Sequence, residues 1–177
     1  MSSSSAQWDF TAKFEGIVPH LYLDTRGNVT CGVGFLVKTE AELVRLPWSS
    51  VEAARMDWQL VSRAEPSKPA SFYRPLCKAR LREIDMRRLF DLHVQAFRKQ
   101  IDPAWHLNQW PECVQIALVD MAFNLGAAGL NKYRKLQVAV FARQWAIAAA
   151  ECKRNGIGDA RNEATRQLFL SASDVVV

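Results

Sequence analysis

A short glycine-containing segment near the N-terminus is the feature that most limits how this chain can fold. Leu21–Leu23 and Val29–Val33 predict two short strands, and Thr25–Asn28 predicts the turn between them, with Gly27 and Asn28 suited to positive φ angles. A two-stranded hairpin is at best marginally stable alone in water. We therefore expect the hairpin to pack against helices, and the groove beside it is the natural ligand site.

Helical signals occupy the rest of the chain. A first helix is predicted over Trp8–Glu15 and is closed by Pro19. The longest, Asp85–Gln100, carries apolar residues at helical spacing and has a length suited to connecting two lobes. The helix after Pro111 is strongly apolar and ends at Gly126, so we expect it at the centre of a helical lobe. Two more helices are predicted to begin at capping boxes, one at Thr39 with Glu42 and one at Ser49 with Glu52, and the second of these runs through Ala64. Three further helices are predicted over Tyr133–Ala142, Trp145–Lys153 and Asp159–Ser171.

The predicted fold class is α+β, mostly helical, with one small hairpin. The proline-rich stretch Pro66–Pro75 is interpreted as an irregular insertion rather than a domain boundary. We expect a disordered leader followed by one domain. The leader is expected over 1–6 and the domain over 7–177. Within the domain we expect a hairpin lobe over about 16–80, a connecting helix over about 85–101 and a helical lobe over about 102–172. The first helix of the chain is expected to belong to the helical lobe.

Composition and charge limit the partners. The formal net charge of +5 favours anionic partners such as nucleic acid, acidic membrane or the bacterial cell wall. The basic residues are dispersed apart from Arg80, Arg82, Arg87 and Arg88, which we interpret as a solvated helix face; because no aromatic-interleaved basic motif occurs, we expect no nucleic-acid partner. No uninterrupted apolar stretch approaches the ~20 residues of a membrane span, and no secretory signal opens the chain. We expect synthesis in the cytoplasm and no membrane insertion.

The cysteines and histidines form no recognisable metal or redox pattern. No two cysteines are close in sequence, so we expect buried reduced thiols, with disulfides left open for an oxidising compartment. We expect His93 on a helix face and His20 at the groove rim or surface. Since phosphate-binding glycine loops and serine nucleophile motifs do not occur either, no cofactor and no metal are expected. The residues concerned are Cys31, Cys77, Cys113, Cys152, His20, His93 and His106.

Glu15, Asp24 and Thr30 give the hairpin segment its chemical interest. Glu15 falls at the predicted end of the first helix, and the other two fall on the hairpin. A general acid must keep its proton at neutral pH, which burial against apolar neighbours such as Leu21 and Tyr22 favours. Asp24, in polar surroundings, should stay ionised and could hold a water together with Thr30. Two acids nine positions apart are nevertheless common, and most such pairs are solubilising surface charge.

The same run resembles the active-site segment of the T-even phage lysozymes, a family of glycoside hydrolases. Family members carry a helix ending in Glu-Gly, then a leucine, Tyr-x-Asp, a glycine turn and Thr-x-Gly-x-Gly. The resemblance implies a lysozyme-like two-lobed fold in which a long helix joins a small N-terminal hairpin lobe to a helical C-terminal lobe. It implies that Glu15 is the acid and that Asp24 and Thr30 position the water. The matching residues are Glu15-Gly16, Leu21, Tyr22-Leu23-Asp24, Gly27 and Thr30-Cys31-Gly32-Val33-Gly34.

The rest of the chain resembles this family more loosely. The run Met121–Gly126 is similar to the central helix end that borders the family's groove, which implies substrate contacts at Phe123 and Asn124. Leu36, just after the hairpin, is also expected to contact the substrate. Arg161 resembles a C-terminal arginine that lies against the catalytic glutamate and would orient it through a charge-assisted hydrogen bond. Tyr22 would support the site from the Tyr-x-Asp motif.

Three features depart from the family pattern. Phe35 stands where a histidine usually follows the second glycine, so the structural ion pair of that histidine is missing. Cys31 stands where isoleucine or another apolar residue is common, and we expect it to be a small buried apolar group. The stretch Pro66–Pro75 has no counterpart, and it is expected either to reshape the groove or to contact another protein.

The resemblance implies a muramidase that hydrolyses the β-1,4 bond between N-acetylmuramic acid and N-acetylglucosamine in peptidoglycan. A carboxylic acid facing a water-activating carboxylate predicts inversion, with the carboxyl groups about 6.5–9.5 Å apart. The partner would be the peptidoglycan glycan strand, and we expect a monomer. Two settings use this chemistry: a phage endolysin released through a holin, and an antibacterial toxin delivered into a rival's periplasm by a secretion system, with an immunity protein in the producer.

Two other functions stay open at this point. One is a catalytically inactive cell-wall-binding module on the same fold, although the intact Glu15, Asp24 and Thr30 argue against it. The other is a basic nucleic-acid binder, whose mark would be duplex binding that weakens steeply with salt.

Overall fold

The computed structural model describes residues 3–174. The chain is about 64% helical and has one three-stranded antiparallel sheet, which confirms the predicted mostly helical α+β class. The helices are α1 (Ser3–Glu15), α2 (Glu40–Leu43), α3 (Val51–Val61), α4 (Ala70–Tyr73), α5 (Glu83–Trp105), α6 (Glu112–Leu130), α7 (Arg134–Phe141), α8 (Trp145–Glu151) and α9 (Asp159–Leu170). The strands are β1 (Val18–Leu23), β2 (Val29–Gly32) and β3 (Phe35–Leu36), and short 3₁₀ turns cover Arg74–Leu76, Leu107–Gln109 and Ser171–Asp174.

The chain divides into two compact units. The first, Ala12–Leu92, contains the sheet and α2–α4, and we call it the hairpin unit. The second consists of the chain up to Thr11 together with the residues from His93 onward, and we call it the helical unit. Helices α1 and α5 contribute residues to both units.

Two helices are longer than the sequence pattern predicts. Helix α1 begins at Ser3 rather than at Trp8, so most of the expected leader over 1–6 is helical, while its first two residues lie outside the described part of the chain. Helix α5 runs on to Trp105 and includes Pro103 in its last turn. The predicted end at Gln100 was therefore wrong by more than one helical turn.

The sheet of the hairpin unit has the order β1-β2-β3. Tyr22 pairs with Thr30 across the hairpin, and Thr30 pairs with Leu36 on the other side. Strand β3 was not predicted, because two residues are too few to give a periodic signal. Pro19 was expected to close the first helix but lies inside β1, a position that a proline tolerates because β1 is an edge strand.

The N-cap of α3 differs from the prediction by one residue. Ser50, not Ser49, accepts a hydrogen bond from the backbone N–H of Ala53, at 3.1 Å. The hydroxyl of Ser49 instead accepts the backbone N–H of Arg80, at 3.0 Å. With two adjacent serines, only this tertiary contact decides which one caps the helix. The capping box at the start of α2 forms as predicted.

Helix α6 supplies the centre of the helical unit. Its residues from Ile116 to Ala122 are all buried, as expected for a helix that is apolar on all sides. Gly126 has φ 70° and ψ 164°, which stops the regular helix where the sequence predicted an end, and one further turn leads to Leu130. By length and composition α6 is also a candidate membrane span, but half of that stretch is buried within the protein.

The buried carboxylate of Asp120, on α6, binds three other parts of the helical unit. Arg154, from the loop before α9, donates to it at 2.9 Å, and Arg161 of α9 donates to both of its oxygens at 2.7 and 3.2 Å. The hydroxyl of Thr11 in α1 donates at 3.2 Å. The guanidinium of Arg154 also reaches Thr165, at 2.6 Å. One carboxylate therefore joins α1, α6, α9 and the loop before α9.

The thiols of Cys31, Cys77 and Cys152 are buried and free, and Cys113 is half-buried and free. The expectation that the cysteines are mostly buried is therefore confirmed. Burial raises the pKa of Cys31 to about 12 and that of Cys77 to about 11, so neither forms the reactive thiolate near neutral pH.

Replacing Asp120 with alanine should destabilise the protein by about 3–5 kcal/mol, because the guanidinium groups of Arg154 and Arg161 would stay buried without their anion. Urea unfolding followed by circular dichroism measures this loss. Glu83→Gln is the control, since it removes an exposed ion pair with Arg87 and should change stability little. A loss below about 1 kcal/mol in Asp120→Ala would contradict a central role for this carboxylate.

Candidate active site

A cavity of about 440 Å³ in the hairpin unit is lined by Glu15, Tyr22 and Asp24. This volume lies within the range of about 300–1,000 Å³ that is typical of small-ligand pockets. The structure thus brings three of the predicted site residues around one space. The other lining residues are Leu23, Thr25, Ser67, Lys68, Pro69 and Ala70.

Glu15 is half-buried at the last position of α1, where the chain turns into β1. The backbone of Gly34 comes close to its carboxyl group: a Cβ at this position would lie 3.6 Å from Glu15 Oε2. Gly34 also has a φ of +70°, which side-chain-bearing residues rarely adopt. The second glycine of the Thr-x-Gly-x-Gly motif therefore forms a wall beside the predicted acid.

The carboxylate of Asp24 organises the β1–β2 turn. Its Oδ1 accepts the backbone N–H groups of Arg26 and Asn28, both at 2.8 Å, and its Oδ2 accepts the side-chain amide of Asn28 at 3.0 Å. A carboxylate has about four acceptor positions, so one remains on Oδ2 for a ligand. Gly27 has a positive φ as predicted, but Asn28 does not; it contributes two N–H donors to Asp24 instead.

Thr30 is only 2% exposed and is not among the described residues that line the cavity. Its hydroxyl donates to the carbonyl of Asn28 at 3.1 Å. A hydroxyl has one hydrogen to donate and two lone pairs, so this oxygen can still accept a hydrogen bond but has none left to give. Thr30 can thus serve a water molecule only as an acceptor.

Tyr22 lies within electrostatic reach of both acids. Burial raises the pKa of its phenol strongly, and the negative charges of Glu15 and Asp24, together with the thiol of Cys31, raise it further. The hydroxyl therefore stays protonated at every physiological pH. It is a neutral hydrogen-bond donor in the same cavity lining as the two carboxyl groups, which suits the supporting role implied by the resemblance.

The segment Ser67–Ala70, from the proline-rich stretch, forms part of the cavity wall. It is attached to β1 by His20, whose Nε2 donates to the carbonyl of Ala70 at 2.9 Å. His20 was expected at the groove rim or surface but is only 5% exposed, and its Nδ1 is buried without a partner. The sequence marked this stretch as irregular through its prolines and left open whether it reshapes the groove or contacts another protein. In the structure it contains the short helix α4 and lines the cavity.

The remaining predicted site residues have these positions. Leu36 is exposed on β3 of the hairpin unit. In the helical unit, the ring of Phe123 packs against that of Phe97 with 4.9 Å between centroids, and the side-chain oxygen of Asn124 accepts a hydrogen bond from Arg154. Arg161 binds Asp120, as described above. The pairing of Arg161 with Glu15 and the substrate contacts of Leu36, Phe123 and Asn124 stay predictions.

Comparison with known proteins gives no family assignment. No protein-family model matches this chain, and no curated protein matches it. Among the residues that the structure describes, no group of three histidine, cysteine or acidic side chains could hold a metal ion. The N-terminal run and the geometry of its cavity are therefore the grounds for a functional proposal.

Substitutions of Asp24 should separate its structural role from its charge. Asp24→Asn keeps an oxygen for the N–H groups of Arg26 and Asn28, so we expect a stability loss below about 1 kcal/mol. Asp24→Ala leaves these donors without their partner and should cost about 2 kcal/mol. Thermal and urea unfolding measure both. Equal stability of the alanine and asparagine variants would contradict the turn-organising role.

Lowering the pH from 8 towards 5.5 should destabilise the protein through His20. Burial lowers the pKa of His20 below its ordinary value, and nearby Arg80 and Arg74 lower it further despite the hydrogen bond to Ala70. As the pH falls through about 6.5, His20 therefore takes up a proton in the unfolded chain but not in the folded chain. The contribution of neutral, buried His20 to the free energy of unfolding is complete above this pH. It is lost as the pH falls towards the pKa of His20 in the folded state.

The measurement is the free energy of unfolding against pH for wild type and His20→Gln, whose amide can still donate to the Ala70 carbonyl. The variant should show a shallower fall, and part of the fall should remain, because burial also lowers the pKa of His93. His106→Gln, at an exposed position, is the control and should follow the wild type. Parallel curves for wild type and His20→Gln would refute the prediction.

Proposed function

We propose that this chain is a peptidoglycan hydrolase of the muramidase type, which cleaves the β-1,4 bond between N-acetylmuramic acid and N-acetylglucosamine with inversion. Glu15 is the general acid in this proposal, and Asp24 with Thr30 positions the attacking water. The proposal includes the lysozyme-like arrangement of a hairpin lobe and a helical lobe joined by a long helix, here α5.

The observation that carries the proposal is that Glu15 and Asp24 line the same cavity in two different settings. Three N–H donors surround the carboxylate of Asp24, whereas Glu15 lies at a helix end against the backbone of Gly34. Glycosidases need two carboxyl groups that divide the roles of acid and base, and such a division arises from unlike surroundings.

The remaining acceptor capacity of Asp24 and Thr30 is consistent with the proposed orientation of a water molecule. Asp24 has one acceptor position left on Oδ2, and the oxygen of Thr30 can only accept. A water that donates one hydrogen to each would direct its own lone pairs away from both, towards the anomeric carbon. Attack from that side, while Glu15 protonates the leaving oxygen on the other, gives the inverted product.

The proposed site of action is the periplasm of a target or host cell. The chain would reach it through a holin, as an endolysin, or through a secretion system, as an antibacterial effector. In the second case the producer needs an immunity protein, for which the cavity around Glu15 and Asp24 is the natural target. The net charge of +5 favours approach to the anionic cell wall.

The decisive test is the loss of turbidity of purified peptidoglycan with wild type and Glu15→Gln. A general acid contributes about 10²–10⁴-fold, so the variant should clear at least about 100 times more slowly. Glutamine has nearly the same shape as glutamate, and an unfolding curve like that of the wild type would show that the fold is intact. Equal clearing by both proteins would refute the role of Glu15.

Binding to sedimented peptidoglycan without clearing by the wild type would instead favour the inactive cell-wall-binding module. Salt-sensitive duplex binding in place of peptidoglycan binding would favour the nucleic-acid binder.

The stereochemistry provides a separate test of Asp24. Nuclear magnetic resonance of the first product formed distinguishes the α from the β anomer. We expect the α anomer, because the water attacks from the face opposite the leaving group. A β product would contradict the water-activating role of Asp24.

A further inference from the structure

The cavity wall formed by Ser67–Ala70 is held in place by several contacts within the hairpin unit. Tyr73, on α4, donates its hydroxyl to the carbonyl of Glu65 at 2.7 Å and so closes the loop that carries the wall. At the other end, His20 holds the Ala70 carbonyl. A Cβ at Gly27, in the hairpin turn, would lie 4.0 Å from the Cβ of Pro66. Pro66, the residue before the wall, therefore lies beside the turn that Asp24 organises.

The backbone of this wall is restrained and locally strained. Pro66 and Pro69 fix two φ angles on either side of Ser67 and Lys68. Between them Ser67 has a φ of +61°, in the left-handed region that a residue with a side chain seldom occupies. Strained backbone persists where the surroundings over-determine it, and it is concentrated at ligand-binding sites. The segment has the features of a preformed binding wall.

Lys68 is the one cation among the described residues that line the cavity. Its side chain is 37% exposed, its Nζ lies 3.0 Å from the carboxylate of Glu65, and it stands 6.0 Å from the centre of the Phe72 ring. An ammonium group has three N–H donors, and the ion pair with Glu65 uses one. The contacts hold the ammonium in position with donors left for a ligand.

We propose that Lys68 is a specificity-determining residue that binds a carboxylate carried by the peptide stem of the muramic acid residue. This inference rests on the proposed function and names the substrate class that the cavity prefers. The cavity lining includes two acids, Glu15 and Asp24, and the ammonium-bearing Lys68. A simple anion is repelled by the acids, and a neutral glycan gives Lys68 no anionic partner. A sugar with an anionic substituent can contact the acids through its hydroxyl groups and Lys68 through the substituent.

The wall thus selects peptide-bearing glycan over neutral glycan. Lys68 touches no reacting bond in this arrangement, and its effect lies in binding the substituent and aligning the strand. Loss of its charge should therefore raise KM more than it lowers kcat. Because Lys68 lies in the stretch without a counterpart in the lysozyme family that the chain resembles, this contact is a property of the chain itself.

The test compares two substrates, native peptidoglycan and the same material with its carboxylates converted to amides by carbodiimide and ammonia. On native material Lys68→Met should lower kcat/KM about ten-fold, as expected for the loss of a hydrogen bond to a charged group. On amidated material Lys68→Met and wild type should agree within about two-fold. Lys68→Arg should recover most activity on native material. Lys78→Met is the control, since it removes the same charge from an exposed position of the hairpin unit.

A binding measurement separates this inference from the proposed function. In the Glu15→Gln background, addition of Lys68→Met should weaken co-sedimentation with native sacculi and leave that with amidated sacculi unchanged. If wild type does not hydrolyse peptidoglycan but the selective loss of binding is observed, the proposed function is overturned and the role of Lys68 is supported. Equal losses on both substrates, or no loss on native material, would overturn the role of Lys68 while clearing by wild type stands.

Discussion

The carboxylate of Asp120 is the group on which the helical unit depends. It is fully buried, and two guanidinium groups and a hydroxyl converge on it from α1, α9 and the loop before α9. Buried charges are tolerated only when they are paired and hydrogen-bonded, so these elements have one mutual arrangement in which all three polar groups are satisfied. The remaining N–H groups of Arg154 go to neutral acceptors, among them Thr165 and Asn162. Apolar packing around α6 supplies the stability of this unit, and Asp120 supplies its specificity.

The hairpin unit uses a carboxylate in a different way. Asp24 closes a surface turn with three N–H donors, and the same hydrogen bonds that shape the turn leave one acceptor position on Oδ2 unused. Structure and proposed chemistry therefore share one side chain, which is why asparagine and alanine at this position should have different effects. The buried carboxylate of Asp57 has a similar role that is purely structural. It accepts the backbone N–H groups of Lys78 and Ala79 and so fixes the segment that follows the proline-rich stretch.

The proline-rich stretch connects these observations to substrate choice. A buried histidine and a tyrosine hydroxyl attach it, and its prolines limit the conformations that it can adopt. An insertion held this firmly limits the positions of its backbone, so Lys68 in its proposed role would bind a ligand with a smaller entropic cost. The lining of the resulting cavity combines acids with an ammonium group, a combination that neither the hairpin nor the stretch has alone.

The sequence by itself determined the elements and the chemistry of the N-terminal run. Helical periodicity predicted the helical class, the glycine turn predicted the hairpin, and the motif around Glu15 and Asp24 predicted which carboxyl groups share a site, because these signals are local in the chain. The tertiary structure alone decided which serine caps α3, that His20 is buried, and that Ser67–Ala70 lines the cavity. Each of these depends on a partner about 30 to 50 residues away, such as Arg80 for Ser49 and Ala70 for His20, and no local pattern encodes a contact at that separation.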